Sequence, residues 1–218
     1  FTGSNGWVVM RSDRSVLGTD TRYGERAAAE TERSGVEIVA LQNRSDLHRA
    51  LVDAAGPGEV GLDARSVTHA QWRQLATDLT LASIDSPIGT AREVKDDAEI
   101  QRIAAAAAAA DAALAEVEPL LFATIDDPVT EADIRDELEH RMRRHGADDR
   151  SYDTIVAAGP EHAARPHHEV GRRTIVEGDT VVIDVGALVD GYHSDMTRSY
   201  VIGTPSAQQR EIYALVQV

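Results

Sequence analysis

The sequence predicts an α/β (α+β) chain in two parts: a small N-terminal α/β domain over residues 1–85, a linker over 86–95 and a second domain over 96–218. Three observations predict it. Short β-branched runs alternate with helix-like stretches through the first 85 residues. Ser86-Pro-Ile-Gly-Thr90 interrupts that rhythm with turn-forming residues. Beyond it come two long helical patterns and then a cluster of strands.

In chain order, Trp7-Val-Val-Met10 and Ser15-Val-Leu-Gly18 read as a hairpin, followed by a turn at Thr19–Tyr23. Glu25 to Ser34 reads as a helix ending near Gly35, Val36–Leu41 as a strand, and Ser45 to Ala55 as a helix capped by Ser45. Val60–Asp63 is a further strand and His69 to Asp78 a further helix. Asp96 to about Phe122 reads as one long helix whose alanines, 104 to 110, leave a smooth face for close packing. A second helix starts at Thr130, where Asp133 completes a capping box, and ends at Gly146. Strands follow at 152–158, 180–187 and 192–202, and a last helix begins near Pro205-Ser206.

Composition excludes several function classes. The formal charge of −15 is spread along the chain and would repel a phosphate backbone, so nucleic-acid binding is not expected. Lys95 is the only lysine beside many arginines. Cysteine is absent, so any metal must use oxygen and nitrogen ligands. No stretch approaches the roughly 20 apolar residues of a membrane span, and no signal segment opens the chain. The motifs of nucleotide-binding loops and serine hydrolases are missing as well.

The informative segment is Val182-Ile-Asp-Val-Gly-Ala-Leu-Val-Asp-Gly-Tyr-His-Ser-Asp-Met-Thr-Arg198. Asp190-Gly191 is a strong hairpin turn. A two-residue loop there sets Asp184 opposite Thr197 and makes Asp195 its diagonal neighbour on the same face. Two carboxylates converging in an apolar strand pair repel each other and are costly unless something positive joins them, and a divalent cation serves. The same residues admit a plainer reading, in which Asp195 caps a turn or pairs with Arg198 and Asp184 accepts backbone hydrogen bonds. His162, His167, His168 and Glu169 form a local group whose spacing does not make a self-contained zinc site. That loop reads either as a solvated surface or as a source of one substrate or acid–base histidine.

Beyond these residues the chain resembles the Xaa-Pro peptidases of the pita-bread metallopeptidase family, which includes aminopeptidase P and prolidase. Ser151-Tyr-Asp-Thr-Ile-Val-Ala-Ala-Gly159, Ala164-Arg-Pro-His-His168, Glu177-Gly-Asp-Thr-Val-Val-Ile-Asp-Val-Gly186 and Gly191-Tyr-His-Ser-Asp-Met-Thr-Arg-Ser199 carry the resemblance. Phe1-Thr-Gly-Ser-Asn5, Thr19-Asp-Thr-Arg-Tyr23 and Arg92-Glu-Val-Lys-Asp-Asp-Ala-Glu-Ile100 extend it to the family's N-terminal domain and interdomain junction.

The resemblance implies an N-terminal creatinase/prolidase-like domain followed by an incomplete pita-bread catalytic domain. It implies a site for two divalent ions (manganese, cobalt or zinc), with Asp184 the first ligand, Asp195 the bridging carboxylate and His167 the histidine that steadies substrate. The family completes its site with a histidine and two glutamates beyond position 218, so the remaining ligands are expected outside this sequence. Both ends look cut, and the chain alone is expected to be inactive. The activity implied is that of a metal-dependent Xaa-Pro aminopeptidase acting on proline-containing peptides, cytoplasmic and homodimeric. The alternatives are a prolidase restricted to dipeptides, a non-catalytic pita-bread binding domain and, more weakly, a metal-independent creatinase-like hydrolase.

Overall fold

A computed structural model of the chain describes residues 1–217 and divides it into two compact units, Phe1–Glu93 and Val94 onward. In the first, β1 (Gly6–Met10) and β2 (Ser15–Asp20) form the expected hairpin, and β3 (Glu37–Leu41) joins β2 in parallel. Asp20 caps a single 3₁₀ turn at Thr21–Tyr23, which leads into α1 (Gly24–Thr31). Helix α2 (Arg44–Ala55) is capped by Asn43 and not by Ser45: the Asn43 side chain accepts from the Ser45 amide at 2.9 Å. Two residues with cap chemistry stand together there, and the earlier one wins. A second, two-stranded parallel sheet pairs β4 (Glu59–Asp63) with β5 (Thr80–Ile84), on either side of α3 (His69–Leu75). The strand β5 has no counterpart in the sequence reading. Residues 86–95, expected as a linker, carry the short helix α4 (Pro87–Glu93).

The second unit is built on α5 (Asp97–Ala123) and α6 (Glu131–Arg144), both started by capping boxes, Asp96 with Glu99 and Thr130 with Asp133. Along α5, Ala106, Ala109, Ala110, Ala113, Leu114, Val117 and Leu121 are buried, a spacing of three and four that turns one face inward. That face packs on α6, which contributes Ile134, Leu138 and Met142 to the same core. Three antiparallel strands in the order β11 (Met196–Val201), β8 (Thr180–Val185), β7 (Ile155–Ala158) complete it. Val181, Ile183 and Val185 of β8 are fully buried and alternate with half-buried Thr180, Val182 and Asp184. The strand is therefore buried on one side only, and Asp184 stands on the half-buried side.

The chain from β8 to β11 is one hairpin interrupted near its middle. Its tip is β9 (Ala187–Val189) against β10 (Tyr192–His193), with β6 (Asp149–Arg150) on the other side of β9. Asp190 and Gly191 close the turn with φ of 49° and 80°, the left-handed values that a type I′ turn demands. Across Gly186 the regular ladder gives way: Ala187 donates to the Ser194 hydroxyl at 3.0 Å, and the single proton of the Ser151 hydroxyl is shared between the carbonyls of Ala187 at 2.7 Å and Ser194 at 2.8 Å. What sequence suggested as one returning strand over 192–202 is thus two, β10 and β11, separated by Ser194 and Asp195. Tyr192 donates to Glu99 at 2.8 Å and Arg102 pairs with Asp190, which moors the tip to α5. Helix α8 (Ala207–Val216), capped by Ser206, ends the described chain. No helix among the described residues is long and apolar enough to cross a membrane.

Candidate metal centre

The register of the hairpin decides which side chains meet. β8 and β11 pair Thr197 with Asp184 and Met196 with Val185. On the other side of β8, Ile155 stands opposite Asp184. With the two-residue turn keeping that register, Asp195 follows on the diagonal from Asp184. One observation shows that the two carboxylates converge. The Tyr152 hydroxyl lies 2.7 Å from Asp184 Oδ1 and 2.9 Å from Asp195 Oδ1.

A phenol has one proton, so it can donate fully to only one of those oxygens at a time. Burial, followed by the two carboxylates, pushes the Tyr152 phenol far above its usual range, so the proton stays on the tyrosine. Among the described residues neither aspartate has an ion-pair partner. Arg198, the candidate mate for Asp195, reaches instead toward Asp111 at 4.0 Å and donates to its neighbour's carbonyl. The pair therefore presents two hard oxygen donors, short of positive charge, Asp184 on the half-buried face of β8 and Asp195 at the exposed break just before β11. That donor set fits a divalent cation of the oxygen-preferring or borderline kind. Asp195 and the adjacent Thr197 are exposed, which leaves the pair open on one side.

The histidine loop resolves differently from its sequence spacing. His167 is exposed and His168 is buried. His162 and His168 stack with ring centroids 4.1 Å apart, and both turn to Glu131, the first residue of α6, at 2.8 Å and 3.0 Å. Glu131 is fully buried. These side chains form a group whose ligand atoms lie within 4.8 Å of one another. Glu131 also accepts the amides of Ala158 at 2.8 Å and Gly171 at 3.3 Å. Burial alone would raise its pKa, yet the hydrogen bonds from His168, Ala158, His162 and Gly171 outweigh burial and hold it below the usual range. Sequence reasoning missed Glu131 because an acidic residue in a first helical turn is ordinary there. Glu169, grouped with the histidines by sequence, is exposed and outside the cluster.

The chain matches known proteins along its length. A sequence model described as metallopeptidase family M24 matches residues 101–217, and one described as the creatinase/prolidase N-terminal domain matches residues 1–94. An uncharacterised peptidase of Bacillus subtilis (strain 168) is 34% identical over 224 residues, covering 99% of this chain and 60% of that protein. Among solved structures, an X-Pro aminopeptidase from Thermotoga maritima aligns at TM-score 0.85 and 30% identity, over 100% of this chain and 61% of that one. A Xaa-Pro dipeptidase from Bacillus anthracis aligns at TM-score 0.88 and 31% identity, over 100% and 60%. The chain thus spans about three fifths of the length of the relatives it matches.

Proposed function

We infer the function from one premise: the chain belongs to metallopeptidase family M24, with a creatinase/prolidase N-terminal domain ahead of the M24 region. The reading is a metal-dependent Xaa-Pro peptidase, and more narrowly an aminopeptidase that cleaves the bond before a proline in the second position. The observation that carries it is the carboxylate pair of Asp184 and Asp195, held by one hydroxyl and unmatched by any basic side chain among the described residues. A module used only for binding has no need of two facing carboxylates, which argues against the non-catalytic reading.

In this reading Asp184 and Asp195 would hold the divalent metal, Asp195 as the shared ligand. Bound divalent metal would supply a water activated at neutral pH and a polarised scissile carbonyl. The chain's own residues do the rest. β8 carries Asp184, the hairpin's register brings Asp195 beside it, and the Tyr152 proton is shared between their Oδ1 atoms. His167, exposed beside a buried and anchored neighbour, contacts the substrate. The ligand set is completed by residues outside this sequence, and the protein acts as a homodimer.

A dipeptide-restricted prolidase is the second reading, supported by the Xaa-Pro dipeptidase structure from B. anthracis at TM-score 0.88. The complete protein loaded with Mn²⁺ should hydrolyse both a Xaa-Pro dipeptide and a Xaa-Pro-Yaa tripeptide. Turnover of the dipeptide alone would replace the aminopeptidase reading with the prolidase one. Turnover of neither would withdraw both.

A further inference from the structure

We propose that Glu131 is a positioning residue: by latching the segment 158–171 onto the start of α6, it holds His167 in the orientation that meets substrate. The inference rests on the reading of His167 given above and adds a residue that acts through it.

A carboxylate offers about four lone-pair sites, and Glu131 has a donor for each. Ala158 at the end of β7 and His162 at the end of α7 (Gly159–His162) take Oε1, while His168 and Gly171 take Oε2. With every site filled, the group is a closed hydrogen-bonded knot and keeps no lone pair free for a cation. The four donors lie upstream of His167, next to it and downstream of it, so one buried side chain fixes the loop at both ends and at its centre.

The loop has little else to fix it. Within residues 163–170, regular structure is absent, and its local backbone hydrogen bonds are Ala163 to Gly159 and Arg165 to His162. Downstream, the first amides of α6 continue the latch: Glu131 donates to the Arg173 carbonyl and Ala132 to the Gly171 carbonyl, each at 3.1 Å. These are helix-start amides that lack intrahelical partners. The consequence for His167 is one of alternation. With His168 drawn into the knot and stacked on His162, its neighbour His167 is left on the outer side.

The test has one arm independent of catalysis. In Glu131→Gln the amide keeps one acceptor oxygen and turns a donor toward existing donors, so the loop should loosen. Amide exchange at Gly171 should quicken by about tenfold or more, with that of Ile183 in β8 unchanged as the check that the domain is folded. His168→Gln, whose amide reaches the same oxygen, should retain protection, and His168→Leu should lose it. This pair stands in if Glu131→Gln does not fold.

The second arm is a double-mutant cycle on kcat/KM in the metal-loaded complete protein. His167→Ala and Glu131→Gln should each lower it, and the double variant should be no worse than the poorer single one. Losses that multiply in the double variant would overturn the proposal, because they would mark Glu131 as merely structural. Unchanged exchange in Glu131→Gln beside a damaging His167→Ala would overturn the latch alone. A neutral His167→Ala would instead sink the substrate role of His167, and the positioning of it as well.

Discussion

Replacing Gly186 with alanine tests whether the broken hairpin ladder is obligatory. A Cβ built on Gly186 stands 2.0 Å from the Ser194 carbonyl oxygen, 2.9 Å from its carbon and 3.0 Å from Ser151 Cβ. Two of these three are backbone atoms of the facing strand, so no rotamer change relieves the overlap, and the strands must part. The bonds across that step are Ser151 N to Gly186 O at 2.8 Å, Ser194 N to Ala187 O at 2.9 Å, Ala187 N to the Ser194 hydroxyl at 3.0 Å and the one that the Ser151 hydroxyl shares between the Ala187 and Ser194 carbonyls. A shift of about an ångström takes most of them past the useful range. At about 1 kcal/mol each, the lost bonds cost about 3–4 kcal/mol, and the overpacking adds about 1–3 kcal/mol. Against a typical domain stability of about 5–15 kcal/mol, that is a large fraction. Urea unfolding followed by circular dichroism should show a loss above about 3 kcal/mol, or no folded baseline at all. A loss below about 1 kcal/mol with the Ala187 and Ser194 amides still protected would refute the reasoning.

Three further outcomes follow from the same geometry. Asp195→Asn in the complete protein should abolish metal-dependent hydrolysis, and unchanged turnover at saturating metal would remove Asp195 from the site. Tyr152→Phe takes away the hydroxyl shared by the two carboxylates and should cost about 1–2 kcal/mol in chelator, a hydrogen bond to a charged group discounted for exposure. A melting temperature equal to wild type in chelator would show that the hydroxyl restrains nothing. Acid should destabilise the second unit through Glu131 and through Asp179, where burial raises the pKa but the paired Arg173 guanidinium outweighs it and holds the carboxyl below its usual range. Both folded pKa values lie below the unfolded ones of about 4, so their stabilisation is complete at neutral pH and fades as the pH falls through about 4 and lower. Urea midpoints measured from pH 7 to pH 3 should be flat and then drop, and Glu131→Gln should shallow the drop. A midpoint that rises on acidification would contradict the sign.

What sequence revealed and what it concealed divide by range. The hairpin of β8 to β11 was legible because everything that sets it is local: a β-branched run, Asp190-Gly191 and a side-chain period of two. That arithmetic sets Asp184 opposite Thr197, and the register agrees. The interruption at Gly186 was not legible, since it arises from Ser151 and Ser194 hydroxyls replacing part of a backbone ladder. Glu131 was hidden for a related reason, because its donors lie 27 to 40 residues away. The strand β5 was lost between a helix and a turn-rich stretch, where five residues give too few periods to declare themselves.

The turn at Asp190-Gly191 carries a consequence for how this chain can vary. Exposed loop tips are ordinarily where insertions are absorbed without harm. Here the tip acts as a counter: adding one residue would shift β10 and β11 by one place and send Asp195 to the opposite face from Asp184. Length at this surface bend is therefore as constrained as identity at the carboxylates, although Asp190 and Gly191 touch neither of them. Two-residue insertions, which restore the parity, should be accepted where single ones are not.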